Sequence, residues 1–233
     1  MNVIQGDGFV ATIVRSSKRK TAAIKIQKGC VFVMVPAFLK LAAIEAIVAS
    51  KQRWIKEKLA QQNEIVAVQP KQYSAGEIFG YLGKDHYLTI VTAKTASIRL
   101  SQDRLEVSLR AATAAPEKTI KQLLSQWYAQ QAVVELNRRT GYYAGIIGVK
   151  PRTITVKTFR ARWGSCTSSG NIYYNWKIII APGHIVDYVV IHELCHLLHH
   201  NHSPAFWQAV ARYCPDYREC TAWLKANGGY LEV

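Results

Sequence analysis

The feature that most constrains this 233-residue chain is a pair of histidines four residues apart inside an apolar segment. His192 and His196 enclose Glu193 in the pattern HExxH, and aliphatic residues recur from 185 to 197, which is typical of a buried helix. Since each helical residue turns the chain by about 100°, both imidazoles project from one face and could share a metal ion. Glu193 points about 100° away from His192, where it could take a proton from a water molecule on that metal. Because these polar groups would be costly on a core helix without partners, the pattern predicts a zinc-dependent hydrolase.

A catalytic zinc usually has three protein ligands and one open position, so a third ligand is expected. His199 shares the helical face of His192, but seven residues of a straight helix separate the two by about 10 Å. Since a Zn–N bond is about 2.1 Å long, a straight helix cannot bring His199 to the same ion. His202 is the favoured candidate, because it follows the expected end of the helix and precedes a Ser203 cap. Glu219, on the last expected helix, stays open as the alternative.

The amino-terminal half is rich in β-branched residues, which indicates strands. We predict strands at 8–14 and 22–35, joined as a hairpin by the basic turn 15–20, and further short strands over 77–110. Between these two groups, apolar residues recur every three to four positions over 39–62, which predicts one long helix.

Small residues over 111–116 indicate a junction between two domains. We therefore predict an α+β fold with an amino-terminal β-rich domain over 1–112, containing the one long helix, and a zincin-like catalytic domain over 113–233. The second domain is expected to combine helices and strands, in this order: a helix over 116–139, strands over 153–158 and 171–180, and helices that begin at Pro182, at Ser203-Pro204 and near residue 216.

Composition bounds the surroundings and partners of the chain. No apolar run approaches the roughly 18 residues of a membrane-spanning helix, and no secretory signal is recognisable, so we expect no membrane partner. The five cysteines are scattered and none forms a CxxC pair, which favours a reduced, cytoplasmic location. The net charge is +15, and the first 60 residues hold 11 Lys and Arg against 3 acidic residues. This basic half could attract nucleic acid or another polyanion, or form an ordinary solvated face.

Several short motifs accompany the two histidines. In the carboxy-terminal half they are RWGSC at Arg162–Cys166, Asn171-Ile172, Asn175-Trp176, Ala181-Pro182, the HELCH segment, Asn201-His202-Ser203 and Phe206-Trp207. In the amino-terminal half they are RSSKRK from Arg15, KQRWI from Lys51 and YLGK from Tyr81. Together they resemble the YgjP-like metallopeptidase family over nearly the whole chain. The HSPAFW segment is also similar to the third-ligand segment of SprT-like and WLM-type proteases.

The resemblance implies that His192, His196 and His202 bind Zn²⁺ and that Glu193 is the catalytic base. The expected reaction is hydrolysis of a peptide or protein, in which Glu193 takes a proton from the zinc-activated water and returns it to the leaving amine. An extended substrate would pair with an edge strand above the active-site helix. The sequence leaves two candidates for that strand, 171–180 and 153–158.

Two other functions stay open at this point. A zinc-dependent phosphohydrolase acting on a nucleotide or polyphosphate would use the same activated water, and the charge of +15 suits an anionic substrate. A nucleic-acid-associated metal-binding protein is the second. Glu193 argues against a purely structural metal site there, because such a site needs no base and is usually closed by a fourth ligand.

Overall fold

The computed structural model describes residues 3–27, 29–63 and 71–233. The chain divides into two compact units, Met1–Gln69 and Pro70–Val233. Each unit has its own cluster of buried apolar side chains, and the HExxH motif belongs to the second.

The unit boundary differs from the junction placed at 112/113 by the sequence. Phe79 and Leu105, from the strands before that junction, lie in the same core as Leu124, from the helix after it. Because those strands bury their apolar face on that helix, they belong with the second unit. The Ala-rich segment 111–116 is therefore a loop inside the second unit.

The first unit combines one sheet with two helices. Its elements are β1 Val3–Gly6, β2 Phe9–Ser16, β3 Ala23–Gln27, β4 Cys30–Pro36, α1 Leu41–Ser50 and α2 Gln52–Asn63. The sheet order is β1-β2-β4-β3, and Ile44, Val48 and Ile55 from the helices contribute to its core. The single helix expected over 39–62 is thus two helices, interrupted at Lys51.

The hairpin expected across the basic turn 15–20 is wrong. Strand β2 pairs in parallel with β4, and β3 pairs antiparallel with β4. The reason is that the segment 22–35 holds two strands rather than one. Gly29 lies between them with a φ of +74°, a left-handed conformation that glycine adopts without steric cost.

The second unit begins with another four-stranded sheet. Its strands are β5 Ile78–Tyr81, β6 Lys84–Thr92, β7 Ser97–Ser101 and β8 Arg104–Leu109, in the order β5-β6-β8-β7. A two-residue turn joins β5 to β6. Leu82 and Gly83 both have positive φ there, as a hairpin turn of type I′ requires. The long helix α3, Pro116–Ile147, follows and extends beyond the predicted end at residue 139.

A small three-stranded sheet and three helices complete the unit. They are β9 Thr153–Lys157, β10 Gly164–Cys166, β11 Asn171–Asn175, α4 Gly183–Cys195, α5 Pro204–Tyr213 and α6 Tyr217–Asn227. The strand order is β10-β11-β9. The strand expected over 171–180 stops at Asn175, because the Asn175 side chain accepts a hydrogen bond from the Lys177 amide at 3.3 Å and starts a 3₁₀ helix, Trp176–Ile180.

Helix α4 lies buried at the centre of this unit, between other helices and strand β10. The combination of helices and sheets confirms the α+β fold expected from the sequence. Most aliphatic residues of α4 are inaccessible to solvent, and this helix contacts α3, α5, α6 and β10. Arg139 of α3 forms an ion pair with Asp187 of α4 and donates a hydrogen bond to the Gly183 carbonyl at 3.2 Å. Among the described residues, no helix is long and apolar enough to cross a membrane.

Candidate metal centre

Three imidazoles converge at the end of α4. His192, His196 and His202 form the one group of three metal-ligating side chains in the described part of the chain, with one ligand atom from each within 4.8 Å of the others. The Nε2 atoms of His192 and His202 are 3.2 Å apart. Tetrahedral zinc with bonds of about 2.1 Å holds its ligand atoms about 3.4 Å apart. The spacing therefore fits one ion held between these rings.

The third histidine reaches the other two because the chain turns back between two helices. Helix α4 ends at Cys195, and α5 begins after Ser203, whose Oγ accepts a hydrogen bond from the Phe206 amide at 3.4 Å. The cap expected from the sequence is therefore present. The His202 ring stacks on Trp207, with centroids 5.5 Å apart and planes 24° apart, and Trp207 stacks in turn on Tyr217. This aromatic stack holds His202 against the site.

The ring of His196 is oriented through its other nitrogen. Its Nδ1 lies 3.1 Å from the carbonyl oxygen of His199, to which the N–H form donates. That bond leaves Nε2 free to face the cluster, the usual way in which a backbone carbonyl fixes the tautomer of a metal-binding histidine. The Phe206 ring stacks on the other side of His196 at 4.5 Å. His199 thus serves the site through its backbone.

Burial disfavours the charged form of His192 and His196. It lowers the pKa of His192 to about 3, and the charges of His196 and His202 act in the same direction. The pKa of His196 is also lowered, first by burial. Both rings are therefore neutral near pH 7, which is the form that binds a metal ion.

Glu193 is a buried carboxyl beside the three histidines. It is 5% exposed, and its Oε2 has no hydrogen-bond partner within the described residues. Burial raises the pKa of Glu193 to about 8, and the Arg162 guanidinium opposes that rise. An unpaired buried carboxyl is costly, and such groups concentrate where a reaction uses them.

Gly164 is a part of the site that the spacing of the histidines does not reveal. A Cβ atom at this position would lie 2.5 Å from Oε1 of Glu193 and 2.7 Å from its Cγ. Only a glycine therefore lets β10 approach the Glu193 carboxyl this closely. The signal in the sequence is the glycine of the RWGSC motif, which carries no chemistry of its own.

Strand β10 forms the free edge of the sheet beside Glu193. The Asn175 amide donates to the Trp163 carbonyl and the Thr167 amide donates to the Asn171 carbonyl, so Ser165 also faces β11. By that alternation, the backbone groups of Gly164 and Cys166 point away from β11. Neither segment expected to form this edge does so: β11 is the central strand, and β9 lies at the opposite edge and contacts α3.

The alternative third ligand, Glu219, and two neighbouring cysteines stay outside the group. Glu219 lines a different cavity, together with Tyr213 and Trp223. Cys195 is fully buried, and burial raises the pKa of its thiol to about 11. The Cys166 thiol, beside Glu193, has its pKa raised to about 11 by burial and by that carboxyl. Both thiols are therefore neutral near pH 7, which disfavours a nucleophilic or ligand role.

The site combines an HExxH motif on a helix, a third histidine brought back by a turn, and an adjacent edge strand. This combination is typical of a metal-dependent hydrolase. A family model described as "YgjP-like, metallopeptidase domain" matches residues 20–227. The chain belongs to the YgjP-like metallopeptidase family, and it is therefore a hydrolase that uses a metal ion.

Other comparisons add less. A crystal structure of the metallopeptidase zymogen of Pyrococcus abyssi abylysin is similar at 20% identity and a TM-score of 0.34. The match covers 36% of this chain and 87% of that one. Among curated proteins, no sequence matches this chain.

Proposed function

We propose that this metallopeptidase uses zinc, held by His192, His196 and His202, with Glu193 as its general base. The observation that carries the proposal is the convergence of three imidazoles beside a buried carboxyl that has an unpartnered oxygen. Three nitrogen ligands with room for a fourth position are the donor set of a catalytic rather than a structural zinc.

The chemistry divides between the ion and the carboxyl. A zinc ion in this group would lower the pKa of a water molecule and polarise the carbonyl of the substrate. Glu193 would accept the proton of the attacking water and pass it to the leaving amine nitrogen. Burial raises the pKa of Glu193, which makes its carboxylate a stronger base than an exposed one.

The substrate proposed for this site is an extended peptide or a protein segment. The outward backbone groups of Gly164 and Cys166 offer an N–H and a C=O on each side of Ser165, as a sheet edge does when it binds an added strand. A peptide paired there would run past Glu193, because Gly164 contacts that carboxyl. A peptide bound to this strand would thus lie beside the proposed base.

The test is the Glu193→Gln variant, which keeps the shape of the side chain and removes its basicity. We expect it to bind one equivalent of zinc and to lose about 10²–10⁴-fold in kcat on a peptide library. Glu219→Gln is the matched control, since Glu219 lies outside the metal group, and it should keep turnover within twofold. Turnover like that of the wild type in Glu193→Gln would refute the mechanism.

The competing phosphohydrolase function is separated by assaying nucleoside triphosphates beside peptides with the same zinc-loaded samples. Phosphate release that depends on Glu193, without any peptide cleavage, would replace the peptidase proposal. A nucleic-acid partner for the basic amino-terminal half is tested by titrating DNA affinity against salt, where a slope near zero would dismiss it. We retain a cytoplasmic location within this proposal, in keeping with the five cysteines, all of which are free thiols.

A further inference from the structure

A basic cleft lies at the start of β10, the strand whose Gly164 approaches Glu193. Its volume is about 750 Å³, and it is formed largely by the segment 158–163. Arg160, Arg162, Lys177 and Glu232 line it, together with Gly228 and its neighbour Gly229. The cleft is therefore open, mainly positively charged and free of side chains at those two glycines.

Two of the three positive side chains of this cleft, Arg160 and Arg162, are not neutralised by an acidic side chain among the described residues. Within residues 71–233 and the other described ranges, neither Arg160 nor Arg162 has a carboxylate within ion-pairing distance, whereas Lys177 pairs with Glu232. Both arginine side chains are exposed. An unpaired guanidinium offers a planar set of N–H donors that matches a carboxylate, so this wall is complementary to an anion.

The segment that carries the two arginines is held in place by hydrogen bonds from the buried Asn175 side chain. Asn175 is 4% exposed, and its Nδ2 donates to the Phe159 carbonyl at 3.2 Å and to the Arg162 carbonyl at 3.3 Å. The Trp163 carbonyl accepts from the Asn175 amide at 2.8 Å. Because one buried side chain fixes both sides of the loop, the guanidiniums extend from a positioned backbone rather than from a free loop.

The cleft lies where one end of a bound peptide would extend. A peptide paired antiparallel with β10 runs from Cys166 towards Gly164, so its carboxy-terminal residues continue over the segment 158–163. Antiparallel pairing is the arrangement that β10 already has with β11, and it is the more stable of the two per residue. Arg162 lies two residues before Gly164, whose backbone approaches the Glu193 carboxyl.

We propose that this cleft binds a carboxylate that the substrate carries on the carboxy-terminal side of the scissile bond. The inference rests on the proposed peptidase function. Two sources supply the same chemistry: the free carboxy-terminus of a peptide, and the side chain of an Asp or Glu close to the cleavage site. Arg160 would be a specificity-determining residue for that group, because it has no other charged partner among the described residues.

Three quenched fluorescent peptides derived from one parent sequence test the proposal. One ends in a free carboxylate, one in an amide, and one in an amide with a Glu placed after the scissile bond. We expect kcat/KM of the wild type to be about tenfold higher for at least one carboxylate peptide than for the plain amide, a typical gain for a charge-assisted hydrogen bond. The carboxylate peptide that has the higher kcat/KM identifies the source of the carboxylate. Equal rates for all three peptides would overturn the inference.

The Arg160→Gln variant assigns the preference to the cleft. Its ratio of carboxylate to amide rates should fall to near one, and Arg160→Lys should recover part of it. Arg152→Gln is the control, since Arg152 is exposed in the same unit and does not line the cleft, and it should keep the ratio of the wild type. An unchanged ratio in Arg160→Gln would also overturn the inference.

A direct binding measurement separates this inference from the proposed function. Cleavage of all three peptides without a carboxylate preference would contradict the inference and leave the peptidase proposal intact. Absence of any cleavage would contradict the peptidase proposal. In that case calorimetric titration of the same peptides into the zinc-loaded Glu193→Gln protein decides: tenfold tighter binding of a carboxylate peptide supports the cleft, and equal or absent binding refutes it.

Discussion

Replacing Gly164 with alanine tests how closely the sheet edge approaches the Glu193 carboxyl, the proposed base. The new Cβ would lie 2.5 Å from Oε1 of Glu193, whereas ordinary contacts begin at 3.4 Å, so the carboxyl must move by about 1 Å. A displacement of that size costs about 10²-fold in rate when a reacting group is misplaced, which corresponds to about 2.7 kcal/mol in the activation barrier. The three histidines are not in the path of the methyl group, so zinc should stay bound.

The assay is kcat/KM of Gly164→Ala on a cleaved peptide, measured together with zinc content and the unfolding temperature. Gly145→Ala is the matched control: a Cβ there meets nothing within 4 Å, and alanine stabilises a helix interior by about 0.5–1 kcal/mol relative to glycine. Loss of activity with zinc retained is the expected result. Activity of Gly164→Ala like that of the wild type, with equal zinc, would refute the proposed position of the base.

Three further predictions concern stability. Ser203→Ala removes the cap of the helix after His202 and should lower the free energy of unfolding by about 1 kcal/mol and weaken zinc binding; unchanged zinc affinity would show that the cap does not position the ligand. Arg139→Gln leaves Asp187 without its partner between two helices and should cost about 2 kcal/mol in urea unfolding, below the value for a fully buried pair because Asp187 is partly exposed. Removing zinc with a chelator should lower the unfolding temperature by about 5–10 °C relative to zinc at a hundred times its Kd, and an unchanged temperature would count against a site formed only in the folded chain.

The parts of the site that sequence reasoning predicted depend on local rules. The placement of His192 and His196 on one face follows from the helical repeat, and the Ser203 cap follows from its position before a proline. The turn that returns His202 lies between the end of one helix and the cap of the next, so the sequence could predict it as well. These features need no knowledge of distant residues.

The features that sequence reasoning missed depend on contacts between distant parts of the chain. Strand β2 pairs in parallel with β4 because β3 lies on the far side of β4. The residues of β2 and β4 do not by themselves indicate that arrangement. The domain boundary depends on which helix covers the β5–β8 sheet. The approach of Gly164 to Glu193 joins residues 29 positions apart, and no periodicity in either segment records it.

The most direct test of the account is an anomalous-difference map, at the zinc absorption edge, of crystals of the zinc-loaded protein. The account predicts one peak, with one nitrogen each from His192, His196 and His202 at about 2.1 Å. The Glu193 carboxyl should lie outside the bonding distance of zinc. A peak bound through Glu219, or the absence of a peak at the three histidines in protein that is saturated with zinc, would contradict it.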